Sequence, residues 1–139
     1  MKVLTYGEVM DGGRSVFHVV AAQEDEDCLV VRFEGILRVD NPYRYLWSFL
    51  EELVRILPER AFASIRLDFT RMPFCNDNCF YTLMDIVDAV YLHVPGRPVT
   101  VRRIPNDAWQ RATLPILLNL REEDNAARTT FEDVEPPVR

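Results

Sequence analysis

The sequence predicts an α/β fold: one mixed β-sheet with an N-terminal antiparallel hairpin and a parallel portion behind it. Two observations carry this. Residues 16–21 and 28–33 are rich in β-branched and aromatic side chains and flank the acidic turn Glu24-Asp25-Glu26-Asp27. That pattern reads as a hairpin. From Asp40 onward helical and strand patterns alternate, and strands separated by helices imply parallel pairing with right-handed crossovers. A chain of 139 residues makes one domain the default.

Each element has its own justification. Residues 2–10 are a weak strand candidate, closed by the turn Asp11-Gly12-Gly13. After the hairpin come Gly35 and Ile36-Leu37-Arg38-Val39, which either continue the edge or lead into a helix. Asp40-Asn41-Pro42 starts a helix, with a capping side chain and then a proline in the first turn. Leu46, Leu50, Leu53, Val54 and Leu57 give it one apolar face, and Pro58 ends it. Residues 63–69 form a buried strand, followed by a loop from Thr70 to Asn78 and a second helix from about Cys79.

The second helix buries Leu83, Ile86, Val87 and Val90, with Cys79 one turn earlier, and turns Asp85 and Asp88 to solvent. Pro95-Gly96-Arg97-Pro98 breaks it. Residues 99–102 are a short strand and residues 109–120 the last apolar segment. Pro115 fits there if Thr113 caps a new helix. The expected organisation is an N-terminal extension (1–14), a domain (15–120) and an acidic, flexible tail (121–139) whose main core candidate is Phe131.

Composition excludes several function classes. No apolar run reaches membrane-spanning length. The first eight residues lack the apolar stretch and cleavage site of a signal peptide, so the expected compartment is the cytoplasm. A net charge of −6, with Lys2 the single lysine, argues against nucleic acid. Three cysteines, Cys28, Cys75 and Cys79, do not make a disulfide framework. Cys75 and Cys79 with His18 or His93 would make a poor zinc set, so neither metal nor cofactor is expected. No glycine loop cradles phosphate, and Ser15, Ser48 and Ser64 do not sit on a strand-to-helix turn.

The chemically suggestive stretch is Phe74-Cys75-Asn76-Asp77-Asn78-Cys79, which delivers Asn76, Asp77 and Asn78 to a helix N-terminus. That end carries unpaired N–H groups and partial positive charge. Any of the three could be the N-cap. Asp68 and Asp77 could form an acid–base pair, but a strand-end polar residue and a helix cap explain them more simply. Tyr43, Tyr45, Trp47 and Phe49 exceed what one helical face can bury, which leaves homodimerisation open.

The element order and this stretch resemble the STAS domain of bacterial anti-sigma factor antagonists. There a strand often reading Val-Leu-Asp-Leu-Ser precedes a loop Phe-x-Asp-Ser-Ser/Thr-Gly that opens a helix. Ile65-Arg66-Leu67-Asp68-Phe69-Thr70 and residues 74–79 occupy those places here. A nearer resemblance is to a STAS-like subgroup of regulators known from cyanobacteria, through Gly35-Ile36-Leu37-Arg38-Val39 and through Trp109-Gln110 followed by Thr113-Leu114, Leu117 and Leu120.

The resemblance covers about residues 16–120 and implies a STAS-like fold with helices packed mainly on one face. It implies a non-enzymatic signalling module whose partner is an anti-sigma-factor-type, histidine-kinase-like kinase or a metal-dependent serine/threonine phosphatase. The serine that such a kinase phosphorylates is replaced here by Asp77, so the phosphosite-equivalent loop is Asn76, Asp77 and Asn78. The expected partner-binding residues are Arg71, Asn76, Asp77, Asn78, Tyr81 and Asp85. The alternative is a small-ligand domain taking an anion or nucleotide at the same corner.

Overall fold

The structure is a computed structural model that describes residues 1–25 and 27–135. Glu26, in the acidic turn, lies outside the described residues. The chain runs β1 (Lys2–Asp11), β2 (Arg14–Glu24), β3 (Cys28–Leu37), α1 (Tyr43–Ile56), β4 (Ser64–Cys75), α2 (Asp77–His93), β5 (Val99–Arg103), α3 (Ala108–Leu117), α4 (Glu123–Arg128) and β6 (Thr129–Asp133). All six strands form one sheet in chain order. β1, β2 and β3 pair antiparallel, and β3 to β6 pair parallel. This is the mixed sheet with an N-terminal hairpin that the sequence predicts.

Strand side chains alternate between faces with period 2, and helical ones recur every three or four residues. The two periods meet in one core. Val9, Phe17, Val19, Val31, Phe33, Leu67, Phe69 and Val101 of the sheet pack against α1, α2 and α3. At its centre the rings of Phe33 and Phe69 stack with centroids 4.6 Å apart. The stripe expected on α2, from Cys79 to Val90, is buried. On α1 the stripe is Leu46, Phe49, Leu53 and Ile56, while Val54 is exposed. The helix turns slightly further than expected because β1 receives Phe49.

Both chain ends depart from the sequence reading. Residues 1–14 do not form a separate extension, because β1 pairs with β2 along its length. A Cβ on Gly7 would lie 2.9 Å from the Phe49 Cβ, so β1 uses a glycine where α1 presses closest. Residues 121–135 do not form a flexible tail, since α4 and β6 complete the sheet beside β5; residues 136–139 lie outside the described residues. Polar contacts hold this segment. Arg128 donates from Nε to the Arg97 carbonyl at 2.8 Å, from Nη1 to that of Tyr91 at 3.0 Å and from Nη2 to that of Val94 at 2.5 Å. The Asn125 amide donates to the Leu118 carbonyl at 3.0 Å.

Two further boundaries move. Residues 70–75 are strand, not loop: β4 continues to Cys75 beside Ile36 and Leu37 of β3. Thr113 does not cap a helix. Asp107 does, its carboxylate accepting from the Gln110 N–H at 2.8 Å, and Pro115 sits in the last turn of α3. A proline there forfeits one late helical hydrogen bond, a small loss so near the end. Gln110 is fully buried and donates to the carbonyls of Phe69 at 2.8 Å and Met72 at 3.3 Å, which fastens α3 to β4.

Candidate functional site

The strand-to-helix corner forms where β4 ends beside β3. The Asn76 N–H donates to the Leu37 carbonyl at 3.0 Å and fixes the exit from the sheet. The Asn76 side chain then caps α2, accepting from the Cys79 N–H at 2.9 Å. Of the three cap candidates, Asn76 is therefore the cap, and Asp77 and Asn78 are the first helical residues, both exposed. Asn76→Ala should cost about 1 kcal/mol in chemical denaturation. Asp77→Ala removes only a favourable charge at the helix start and should cost about 0.5 kcal/mol. The reverse order of losses would move the cap to Asp77.

Tyr81 follows Asp77 by four residues and Asp85 follows Tyr81 by four, so the three share one helical stripe. Tyr81 is 65% exposed. Asp85 is exposed too, but it accepts a hydrogen bond from the Tyr43 hydroxyl across the α1–α2 seam. Among the described residues no basic side chain pairs with Asp77. Arg71 is not at this corner. It lies further back along β4 on the uncovered face of the sheet, and its nearest carboxylate is that of Glu34 at 4.0 Å.

Beside the α2 N-terminus runs an open groove of about 350 Å³ between α2 and α3, lined by Cys75, Asp77, Phe80, Trp109, Thr113 and Ile116. Phe74 and Trp109 meet at its end with ring centroids 5.9 Å apart, and Ile116 is 62% exposed on its rim. The sequence reading did not single out this groove. Trp109 and Ile116 lie within the last apolar segment of the sequence, where an exposed apolar residue does not stand out from a core-facing one.

The acid–base option dissolves on geometry. Asp68 lies on the uncovered sheet face, where its Oδ1 accepts from the Thr70 N–H at 2.9 Å and hydroxyl at 2.6 Å, and its Oδ2 lies 3.3 Å from Arg102. Asp77 lies beyond the end of β4, and the strand from Asp68 to Cys75 alone spans roughly 23 Å at the rise of a strand. His18 pairs with Glu34 at 3.0 Å on the same uncovered face. Among the described residues no cluster of three or more His, Cys, Asp or Glu could hold a metal ion.

Burial pushes the Cys75 thiol up to about 12 and raises Cys79 as well. The thiol is the alkylation-resistant form. Iodoacetamide at pH 8 should therefore label half-buried Cys28 in the folded protein and all three cysteines in urea, as read by peptide mass mapping. Labelling of Cys75 at the rate of Cys28 would show that the corner opens. The raised Cys75 value also makes stability fall as pH rises from 9.0 toward about 12, because the unfolded thiol ionises first.

Among the described residues no helix is long and apolar enough to cross a membrane. No family model and no curated protein matches the chain. Among solved structures the chain is similar to the anti-sigma factor antagonist SpoIIAA in its unphosphorylated form, with a TM-score of 0.47 and 10% identity over 70% of this chain and 82% of that chain.

Proposed function

We propose that this protein is a non-enzymatic regulatory module of the cytoplasm that docks a partner protein on the β4–α2 corner. The observation that carries the reading is the exposed stripe Asp77, Tyr81 and Asp85 on α2, whose first residue, Asp77, also lines an open apolar groove. Among the described residues Asp77 has no basic partner. Binding surfaces favour such an arrangement, an aromatic anchor with apolar surface beside it and charge at the rim. By resemblance, the partner is an anti-sigma-factor-type kinase or a metal-dependent serine/threonine phosphatase.

Asp77 stands where that resemblance places a phosphorylated serine. An aspartate places an acidic side chain in the first turn of a helix, where the macrodipole favours negative charge. A phosphate would bring more charge and more acceptor oxygens, and could be removed. Asp77 thus fixes the corner in one state, and Asn76, Asn78, Tyr81 and Asp85 complete the contact surface. An anion or nucleotide is a poorer fit to this corner, since it would meet the Asp77 carboxylate.

The test is capture from native cell extract with wild type, Asp77→Ala and Tyr81→Ala, read by mass spectrometry, with the melting temperature of each variant alongside. Capture of a kinase or phosphatase by wild type, lost in both variants while each stays folded with a melting temperature within a few degrees of wild type, supports the reading. No specific capture, or capture indifferent to both substitutions, overturns it. So does stoichiometric phosphorylation of residues 74–79 by a captured kinase, because the corner would then be a working switch.

A further inference from the structure

On the face turned away from the helices, the strand register sets charges in rows. Arg32, Asp68, Arg102 and Glu132 lie side by side on β3, β4, β5 and β6. The neighbouring row holds His18, Glu34 and Arg71 on β2, β3 and β4. Between the rows is a cleft of about 490 Å³, whose charged lining is Arg32, Glu34, Asp68, Arg71, Arg102 and Glu135, with Thr70 among them. That volume is within the usual range for small-ligand sites, roughly 300–1,000 Å³.

The cleft is shaped by an irregularity in β4. Between the rows β3 advances from Arg32 to Glu34, while β4 advances from Asp68 to Arg71, one residue more. Regular alternation would send Arg71 into the core after Ile65, Leu67 and Phe69. Instead Met72 is buried and Arg71 is exposed. A bulge that re-aims one side chain recurs beside binding and active sites.

The polar groups here are unequally satisfied. Asp68 is held by Thr70, as described above. Arg102 is loosely placed between two carboxylates, 3.3 Å from Asp68 and 3.6 Å from Glu132. Arg71 is 4.0 Å from Glu34, beyond hydrogen-bond reach. One Glu34 oxygen pairs with His18 at 3.0 Å, and the other has only distant Arg71. Arg32 is already paired with Glu24 at 2.9 Å, whereas Arg71 and Arg102 retain donors, and Glu34 and Glu135 retain accepting capacity.

A simple anion would meet Glu34, Asp68 and Glu135, and a simple cation would meet the arginines. A ligand carrying both charges satisfies both sets. We propose that this cleft binds a small zwitterion of the α-amino acid type, its carboxylate on Arg71 and Arg102 and its ammonium on Glu34. Guanidinium forks suit a carboxylate in this way. The proposal concerns the opposite face from the partner-docking corner and does not depend on it.

The test titrates the full chain, by calorimetry and by amide NMR, with each free proteinogenic α-amino acid, and with acetate and methylammonium as single-charge probes. The expected result is saturable binding of at least one amino acid below about 10 mM. It should shift the amides of Glu34, Thr70, Arg71 and Arg102. Arg71→Gln and Glu34→Gln should each weaken it about tenfold, and both are exposed enough to leave the melting temperature unchanged. Absence of binding by every amino acid overturns the proposal. Acetate binding as tightly as the amino acid, or binding indifferent to both substitutions, overturns it equally.

Discussion

Gly35→Ala is expected to destabilise the protein by roughly 3 kcal/mol, and so to unfold a large share of it at room temperature in mild urea. Gly35 lies on β3, the strand at which the antiparallel hairpin joins the parallel half of the sheet. Its φ is +107°, and an added Cβ would come within 2.2 Å of the Val16 carbonyl oxygen and 2.9 Å of the Phe17 Cα. Both obstacles are backbone of the paired strand, so no side-chain rotation relieves them. The alanine must accept a strained φ, at roughly 1–2 kcal/mol. It must also push β2 away from β3, at roughly 1–3 kcal/mol. Gly12→Ala separates the two costs. Gly12 also has positive φ, +61°, but nothing lies within 4 Å of its Cβ position. It should cost about 1 kcal/mol. Urea unfolding followed by circular dichroism measures both. Equal losses for the two variants would mean that β2 and β3 separate freely at Gly35.

The parts of the fold that apolar periodicity specifies were legible in the sequence. The β2–β3 hairpin, the buried stripe of α2 and the alternation of helices with strands all bury apolar side chains at regular spacing. What periodicity does not encode stayed hidden. β1 is an edge strand of which only Gly7 and Val9 are fully covered, so its pattern is faint. β4 overran its expected end because a bulge shifts the alternation between Phe69 and Met72. The corner at residues 74–79 was visible as a strand-to-helix junction, and Asn76 was among its three cap candidates. That Arg71 stands apart from it follows from the same bulge, which sequence alone does not reveal. The groove lined by Trp109 and Ile116 was hidden because an exposed apolar stripe has the spacing of a buried one.

Arg128→Ala should cost about 3 kcal/mol and release β6 from the sheet, an effect out of scale for a residue in a segment that composition marks as a tail. α4 and β6 bury few apolar groups; the buried residues of α4 are Asn125 and Arg128. Arg128 satisfies the carbonyls of Tyr91, Val94 and Arg97, at and beyond the C-terminal end of α2, where carbonyls lack helical partners. Its positive charge is favoured by the negative end of the helix dipole. The guanidinium also lies 5.1 Å from the centroid of the Tyr91 ring, whose hydroxyl is 2.7 Å from the Thr129 hydroxyl. Removing this fork leaves several carbonyls without a charged donor, at roughly 1.5–3 kcal/mol each if none rehydrates. Water entry at this surface end brings the expected total back toward the single figure. The ion pair with Asp124, 3.7 Å away and exposed on the acidic side, adds little, so Asp124→Ala should change stability by less than about 0.5 kcal/mol. Arg128→Lys keeps the charge but cannot reach three acceptors at once, and should recover less than half of the loss. Urea unfolding gives the totals, and hydrogen exchange locates them. Amides of β6 and of the last turn of α2 should exchange faster in Arg128→Ala while those of β2 and β3 stay protected. Unchanged exchange in β6 would mean that its pairing with β5 holds the segment and that Arg128 only decorates it.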